Sequence, residues 1–195
     1  MDSVTKQRNT IESAVFRNLR PLGFTRHGNT LHRFVSGDIS QVIHFQCGPT
    51  RRNSVPLLTV NIGIRIPECA ERWFFPVNDK DYYHEYECNI RSRLGILSSK
   101  STEGEKAFPL DGDTEAICRD ILAEIEEDVL PLFEILSNRQ AILAHRGEYP
   151  WFDIVGSHMA QLEAAMIYGH LGNRQKAKEL FDAYYETVLH HPEPH

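Results

Sequence analysis

The ten residues Leu57–Ile66, LLTVNIGIRI, alternate almost without interruption. Leu58, Val60, Ile62, Ile64 and Ile66 fall on one side of an extended chain; Thr59, Asn61, Gly63 and Arg65 fall on the other. Period two over this length predicts a strand with one face in a core. The polar opposite face is the mark of an antiparallel sheet covered on one side. Pro67 ends the run.

Upstream, ISQVIHFQC (Ile39–Cys47) has the same period. Ile39, Ile43, Phe45 and Cys47 share one face, and Val42, His44 and Gln46 the other. The shorter NTLHRFV (Asn29–Val35) precedes it, joined by Ser36-Gly37-Asp38, a tight-turn signal. GPTRRNSVP (Gly48–Pro56) reads as a loop. Downstream, YECNIRSRLGIL (Tyr86–Leu97) predicts a fourth strand, with Ile90 and Leu94 inward and Asn89, Arg91 and Arg93 outward. Between them ECAERWFFPVNDKDYYHEY (Glu68–Tyr86), aromatic, polar and broken by Pro76, reads as an excursion over the sheet.

Helices flank these strands. Val4, Ile11, Val15, Phe16 and Leu19 make one stripe at helical spacing, predicting a helix over Ser3–Arg20 that Pro21 and Gly23 stop. In the second half, Asp111 or Asp113 caps a helix carrying Ile117, Ile121, Leu122, Ile125, Val129 and Leu132. Pro131 either kinks it or begins another. A short helix follows Ser137 or Asn138 and closes at Gly147. Ser157–Leu171 and Arg174–His190 form a helical hairpin, with Gly172 and Asn173 as left-handed residues at the bend. Leu171, Gly172, Asn173, Lys176, Ala177 and Phe181 make this hairpin resemble one tetratricopeptide unit. One unit cannot stack into a solenoid, so it is expected to pack as an appendage.

The fold class expected is therefore α+β. An antiparallel sheet of about four strands packs against helices, with an α+β domain over 1–150 and the hairpin and tail over 151–195. The 195 residues are enough to bury a core without disulfides. Cys47, Cys69, Cys88 and Cys118 show no C-x-x-C pair and read as free thiols of a reducing compartment. No run approaches membrane-spanning length, and Met1–Thr10 has no apolar centre. A cytoplasmic location with no membrane partner is the expectation.

The net charge of −6 argues against a nucleic-acid partner. It is unevenly placed. Ten acids lie between Glu103 and Asp128, opposed only by Lys106 and Arg119, whereas Met1–Arg65 carries nine Lys or Arg against three acids. Asp120, Glu124, Glu126, Glu127 and Asp128 are the candidate partner-binding residues, fitted to a basic protein by long-range attraction. No nucleophile elbow, Walker loop, zincin helix or dinucleotide fingerprint is present, so no catalytic residues are assigned. DGDTE lacks the calcium-loop glutamate, since Leu122 stands there. His84 and Cys88 are four apart but lack a second pair, so no metal and no cofactor is expected. The closing HHPEPH is a His-rich tail. Candidate ligand-binding residues gather on the polar sheet face: His44, Gln46, Asn61, Arg65 and Arg91, with Trp73, Phe74 and Trp151 as aromatic walls. Asn61 with Gln46 is expected to fix the backbone of a neighbouring loop.

LRPLGFTRHGNTLHRF (Leu19–Phe34), QVIHFQCG (Gln41–Gly48) and LTVNIGI (Leu58–Ile64) resemble the opening of the domain-of-unknown-function 4304 family. Gly23, Phe24, Phe45, Gln46, Asn61 and Gly63 fit its positions, and CNIRSRLG (Cys88–Gly95) fits a later strand more loosely. The resemblance implies a small soluble bacterial protein with no established enzymatic residues. Some such proteins are of a kind met beside toxin genes. It therefore implies an immunity protein that blocks a toxin by protein–protein contact. The competing expectation is a small-molecule site or enzyme on the sheet face around Asn61, and a third is a scaffold whose hairpin makes a homodimer.

Overall fold

The computed structural model describes residues 3–48, 55–70, 81–97, 106–146, 148 and 156–190. Among these residues, six antiparallel strands form one sheet: β1 Thr25–His27, β2 Thr30–Val35, β3 Ile39–Cys47, β4 Leu57–Arg65, β5 Ile90–Arg93 and β6 Ala107–Pro109. The order is β1-β2-β3-β4, and the far edge of β4 is shared. β6 pairs with Leu57–Thr59, and β5 pairs with Asn61–Ile64. The expectation of about four strands omitted β1 and β6. Each is only three residues long, too short to show a period.

The β2–β3 turn uses Ser36 at φ 49° and Gly37 at φ 88°. Two successive left-handed residues give the twist a tight hairpin needs. The register then pairs Ile43 with Leu31 and with Ile62, so the apolar sides of three strands coincide. That face packs on α1 (Ser3–Leu19) and on the acidic helical run. Ile11, Val15, Ile43, Phe45, Val60, Ile121 and Phe133 lie in one buried cluster. Glu12 of α1 is buried and receives Arg26 Nη2 of β1 at 2.7 Å.

After β4 comes the single turn α2 (Pro67–Ala70). The acidic run is three pieces. α3 (Thr114–Glu124) is capped by Asp113, whose carboxylate accepts from the Glu115 and Ala116 amides. A π-turn, Ile125–Val129, follows, and then α4 (Leu130–Ile135) with Pro131 in its first turn. In an unbroken α-helix the Pro131 ring would strike the Glu127 carbonyl and leave it unbonded. The wider turn, closed by the Leu130 amide on the Ile125 carbonyl, accommodates it. α4 ends on the sheet: Gln41 Nε2 donates to the Phe133 carbonyl, and Arg33 Nε donates to Gln41 Oε1 at 2.7 Å.

α5 (Arg139–Ala144) is capped by Asn138, which accepts from the Ala141 amide at 2.9 Å. Arg139 at its start is buried, and its guanidinium grips two carboxylates. Nη1 and Nη2 reach Asp38 at 2.8 Å each, and Nε and Nη2 reach Glu68 at 2.8 and 2.7 Å. Arg139 thus joins the β2–β3 turn, α2 and α5. Its hydrogen bonds hold the Asp38 carboxyl below the usual carboxylate range.

α6 (Gly156–His170) and α7 (Arg174–His190) form the hairpin. Gly172 takes φ 79°, as its sequence suggests. Asn173 does not take a left-handed conformation. It caps α7 instead, accepting from the Lys176 amide at 3.1 Å. The four cysteines are free thiols, with Cys69 and Cys88 buried. No described helix is long and apolar enough to cross a membrane.

Candidate functional site

The sheet face opposite the core carries Thr25, His27, His32, His44, Asn61, Arg65 and Arg91, which strand alternation and the pairing register place on one side. It is covered in part by the chain itself. Residues Asp81–Cys88, with a short 3-10 turn at Glu85–Glu87, lie across it as a strap. Gly63 lets the strap approach: a Cβ built there would stand 2.6 Å from Cys88 Sγ. Burial pushes the Cys88 thiol well above its ordinary pKa, and its Sγ faces the His84 carbonyl at 3.5 Å. No group of three His, Cys, Asp or Glu among the described residues could hold a metal ion.

The sequence-predicted ligand residues lie on this face, but most are already engaged. Asn61 is buried; its Nδ2 donates to Gln46 Oε1 at 2.8 Å, and its Oδ1 accepts from Arg93 Nε at 2.9 Å. The amides of β3 and β4 and the guanidinium of β5 thus form a ladder across three strands. Among the described residues, these amides bond to one another and to Arg93. Arg65, buried, places its guanidinium 3.8 Å over the Tyr83 ring. Arg91 Nε donates to Glu85 Oε1 at 2.6 Å. His44 Nδ1 lies 2.9 Å from Thr30 Oγ1, and burial lowers its pKa. Trp73, Phe74 and Trp151 lie outside the described residues.

A cleft opens at the β1–β2 end of the same face. Its volume is about 350 Å³, and Gly23, Thr25, His27, His32, Arg33, Phe34 and Asp81 line it. His27 stacks on Tyr82 at 4.2 Å with planes 6° apart. His32 is 3% exposed, with Nε2 2.7 Å from Thr25 Oγ1. Its Nδ1 is buried and has no partner among the described residues. Neither His27 nor His32 was picked out from the sequence. The signal was present: both fall on His44's face, but only once β1 is paired to β2 with His27 against Thr30.

Burial, followed by the nearby His27, pushes the His32 pKa from 6.5 down to about 4, while Asp81 acts the other way. The imidazole is therefore neutral at pH 7. The unfolded chain takes up this proton near pH 6.5, but the folded chain only near pH 4. Stability is thus present above pH 6.5 and is lost as the pH falls toward 4. The loss approaches about 3 kcal/mol for a shift of this size. Urea midpoints measured across that range should fall less steeply for His32→Gln than for the parent chain. Parallel slopes would show that His32 titrates normally.

The second candidate surface is the outside of α3, the π-turn and α4. Asp120, Glu126 and Glu127 are exposed, and Asp128 is half-buried. Glu124 differs, because its carboxylate is half-buried and bonded to Lys106.

Comparison with known families bears on both surfaces. The family described as a domain of unknown function, DUF4304, matches residues 15–135. The chain belongs to the DUF4304 family. The span matched in this DUF4304 protein runs from within α1 to the end of α4. It therefore contains the whole sheet, the strap, the cleft beside His32 and the acidic helical run, but neither Arg139 nor the hairpin. No curated protein and no solved structure matches the chain.

Proposed function

We propose that this DUF4304 protein is a non-enzymatic protein-binding module, of the kind an immunity protein represents, and that it meets a basic partner such as a toxin along α3 and α4. A contrast between its two polar surfaces carries the reading. On the sheet, Asn61, Gln46, Arg65, Arg91 and Arg93 satisfy one another or the strap. On the helical run, Asp120 and Glu126 are exposed on the family-matched part of the chain. Exposed like charges on one side raise the rate at which an oppositely charged protein docks, and the effect weakens once salt screens beyond about 10 Å.

The test uses the full chain as bait in lysate of its source organism, washed at low and high salt, beside the triple variant Asp120→Lys, Glu126→Lys, Glu127→Lys. Glu124 is left alone because of its bond to Lys106. The expected result is a stoichiometric protein retained at low salt and held at least tenfold more weakly by the variant. Equal retention by both chains would remove this surface from the reading.

The cleft lined by His32, Phe34 and Asp81 supports a second reading, a small-molecule site. A wall carrying a neutral imidazole, the Phe34 ring and the Asp81 carboxylate suits a flat, polar ligand. A ligand that raises the melting temperature of the parent chain, but not that of His32→Gln, would favour this reading over the first.

A further inference from the structure

Among the described residues, helix α7 packs chiefly on α6. No side chain from Arg174 to Leu189 is buried. Ala177, Leu180, Tyr184 and Thr187 are half-buried, and their spacing marks the side against α6. Beside that side runs a second apolar stripe. Phe181, Tyr185, Val188 and Leu189 are 49, 53, 39 and 55% exposed. A groove of about 510 Å³ between α6 and α7 adjoins the stripe. Leu162, Ala165, Met166, Ala177 and Phe181 line it, with Lys178 at its edge. Isolated exposed apolar residues are ordinary, but a contiguous stripe on an otherwise charged helix marks a contact surface.

The charges on α7 say what covers it. Arg174, Lys176 and Lys178 occupy its first turns, and Glu179, Asp182 and Glu186 occupy the middle and end. A partner of uniform charge would be repelled by one half. A second α7 laid antiparallel sets the basic half of each copy against the acidic half of the other. Such a surface is self-complementary, the condition for a closed two-fold contact. The geometry agrees. Lys178, Asp182 and Glu186 recur every fourth residue along one edge of the stripe, and within one copy Lys178 Nζ pairs with Asp182 at 2.5 Å, a contact it exchanges or shares on association. In an antiparallel pair with Phe181 level with Tyr185 of the second copy, Lys178 lies two residues, about 3 Å along the axis, from Glu186 of that copy.

We propose that this chain forms a two-fold dimer through α7, with Phe181 and Tyr185 at its centre and Lys178–Glu186 pairs at its flanks. The contact uses none of the acids of α3 and α4, so it stands or falls separately from the partner-binding reading.

Sedimentation equilibrium of the full chain over a wide concentration range tests it. The parent chain should show the mass of a dimer, and Phe181→Asp with Tyr185→Asp the mass of a monomer. Circular dichroism should be unchanged, because neither side chain is buried. Lys178→Glu should weaken association at least tenfold, and adding Glu186→Lys to the same chain should restore it. A parent chain that is monomeric throughout would overturn the proposal, as would dimers that survive both aspartates. A charge swap that fails to restore association would overturn the antiparallel arrangement.

Discussion

Replacing Arg139 with methionine is expected to lower the unfolding free energy by about 3 kcal/mol, the magnitude typical of removing one member of a buried ionic group. The cause is what remains. Glu68 is 14% exposed and bonded through both carboxylate oxygens to Arg139, so truncation leaves a poorly hydrated charge on α2, with His170 Nδ1 at 4.0 Å. Asp38, 45% exposed, regains water and contributes less. For a chain of this length the loss corresponds to a fall of roughly 10 °C in melting temperature. Adding Glu68→Gln to the methionine variant should recover a measurable part, because the stranded charge is then gone. Urea denaturation of the three chains decides the matter. A single variant within experimental error of the parent would mean that the guanidinium offsets its own desolvation and adds nothing.

The second large effect is expected at Gly63. Its Cβ position is 2.6 Å from Cys88 Sγ and 2.8 Å from Cys88 Cβ, well inside contact distance. Gly63→Ala therefore forces β4 and the strap apart, at a cost of about 2–3 kcal/mol for overpacking of a fully packed site. The position needs glycine for proximity and not for backbone freedom, since its φ is not among the positive values. Cys88→Gly in the alanine background should relieve most of the strain, whereas Cys88→Ala should relieve only part, because its own Cβ stays in the way. Thermal melts of the four chains test the ordering. A Gly63→Ala chain that melts with the parent would show that the strap yields without cost.

The centre of the sheet was legible because alternation is a local property. Ile43, Val60 and Ile62 read as inward from their neighbours alone, and they are the residues that register brings together. The acidic run was legible for a similar reason, since charge is read directly from composition. What escaped was everything that depends on distant pairing. Arg139 looks like an ordinary residue at a helix start; its partners lie 71 and 101 positions away. Gln41 sits on an apolar face, and only the end of α4 explains why an amide belongs there. His32 becomes notable only when burial strips one ring nitrogen of water. The polar face itself was placed correctly, but which side chains meet on it, such as Asn61 with Arg93 and Arg65 with Tyr83, depends on pairings the local sequence does not carry.

The arrangement of the strands has one more consequence. The opening segment, rich in β-branched residues and low in charge, has the composition of peptides that template fibrous stacking. β3 and β4, at nine residues each, are the long strands of the sheet, and both lie inside it. The edges are built from β1 at three residues and from β5 and β6 at four and three, so the rim is short and broken. A neighbouring chain finds no long ladder of open amides to extend. The stretch best suited to self-templating is kept inside the sheet by two fragments of only four and three residues.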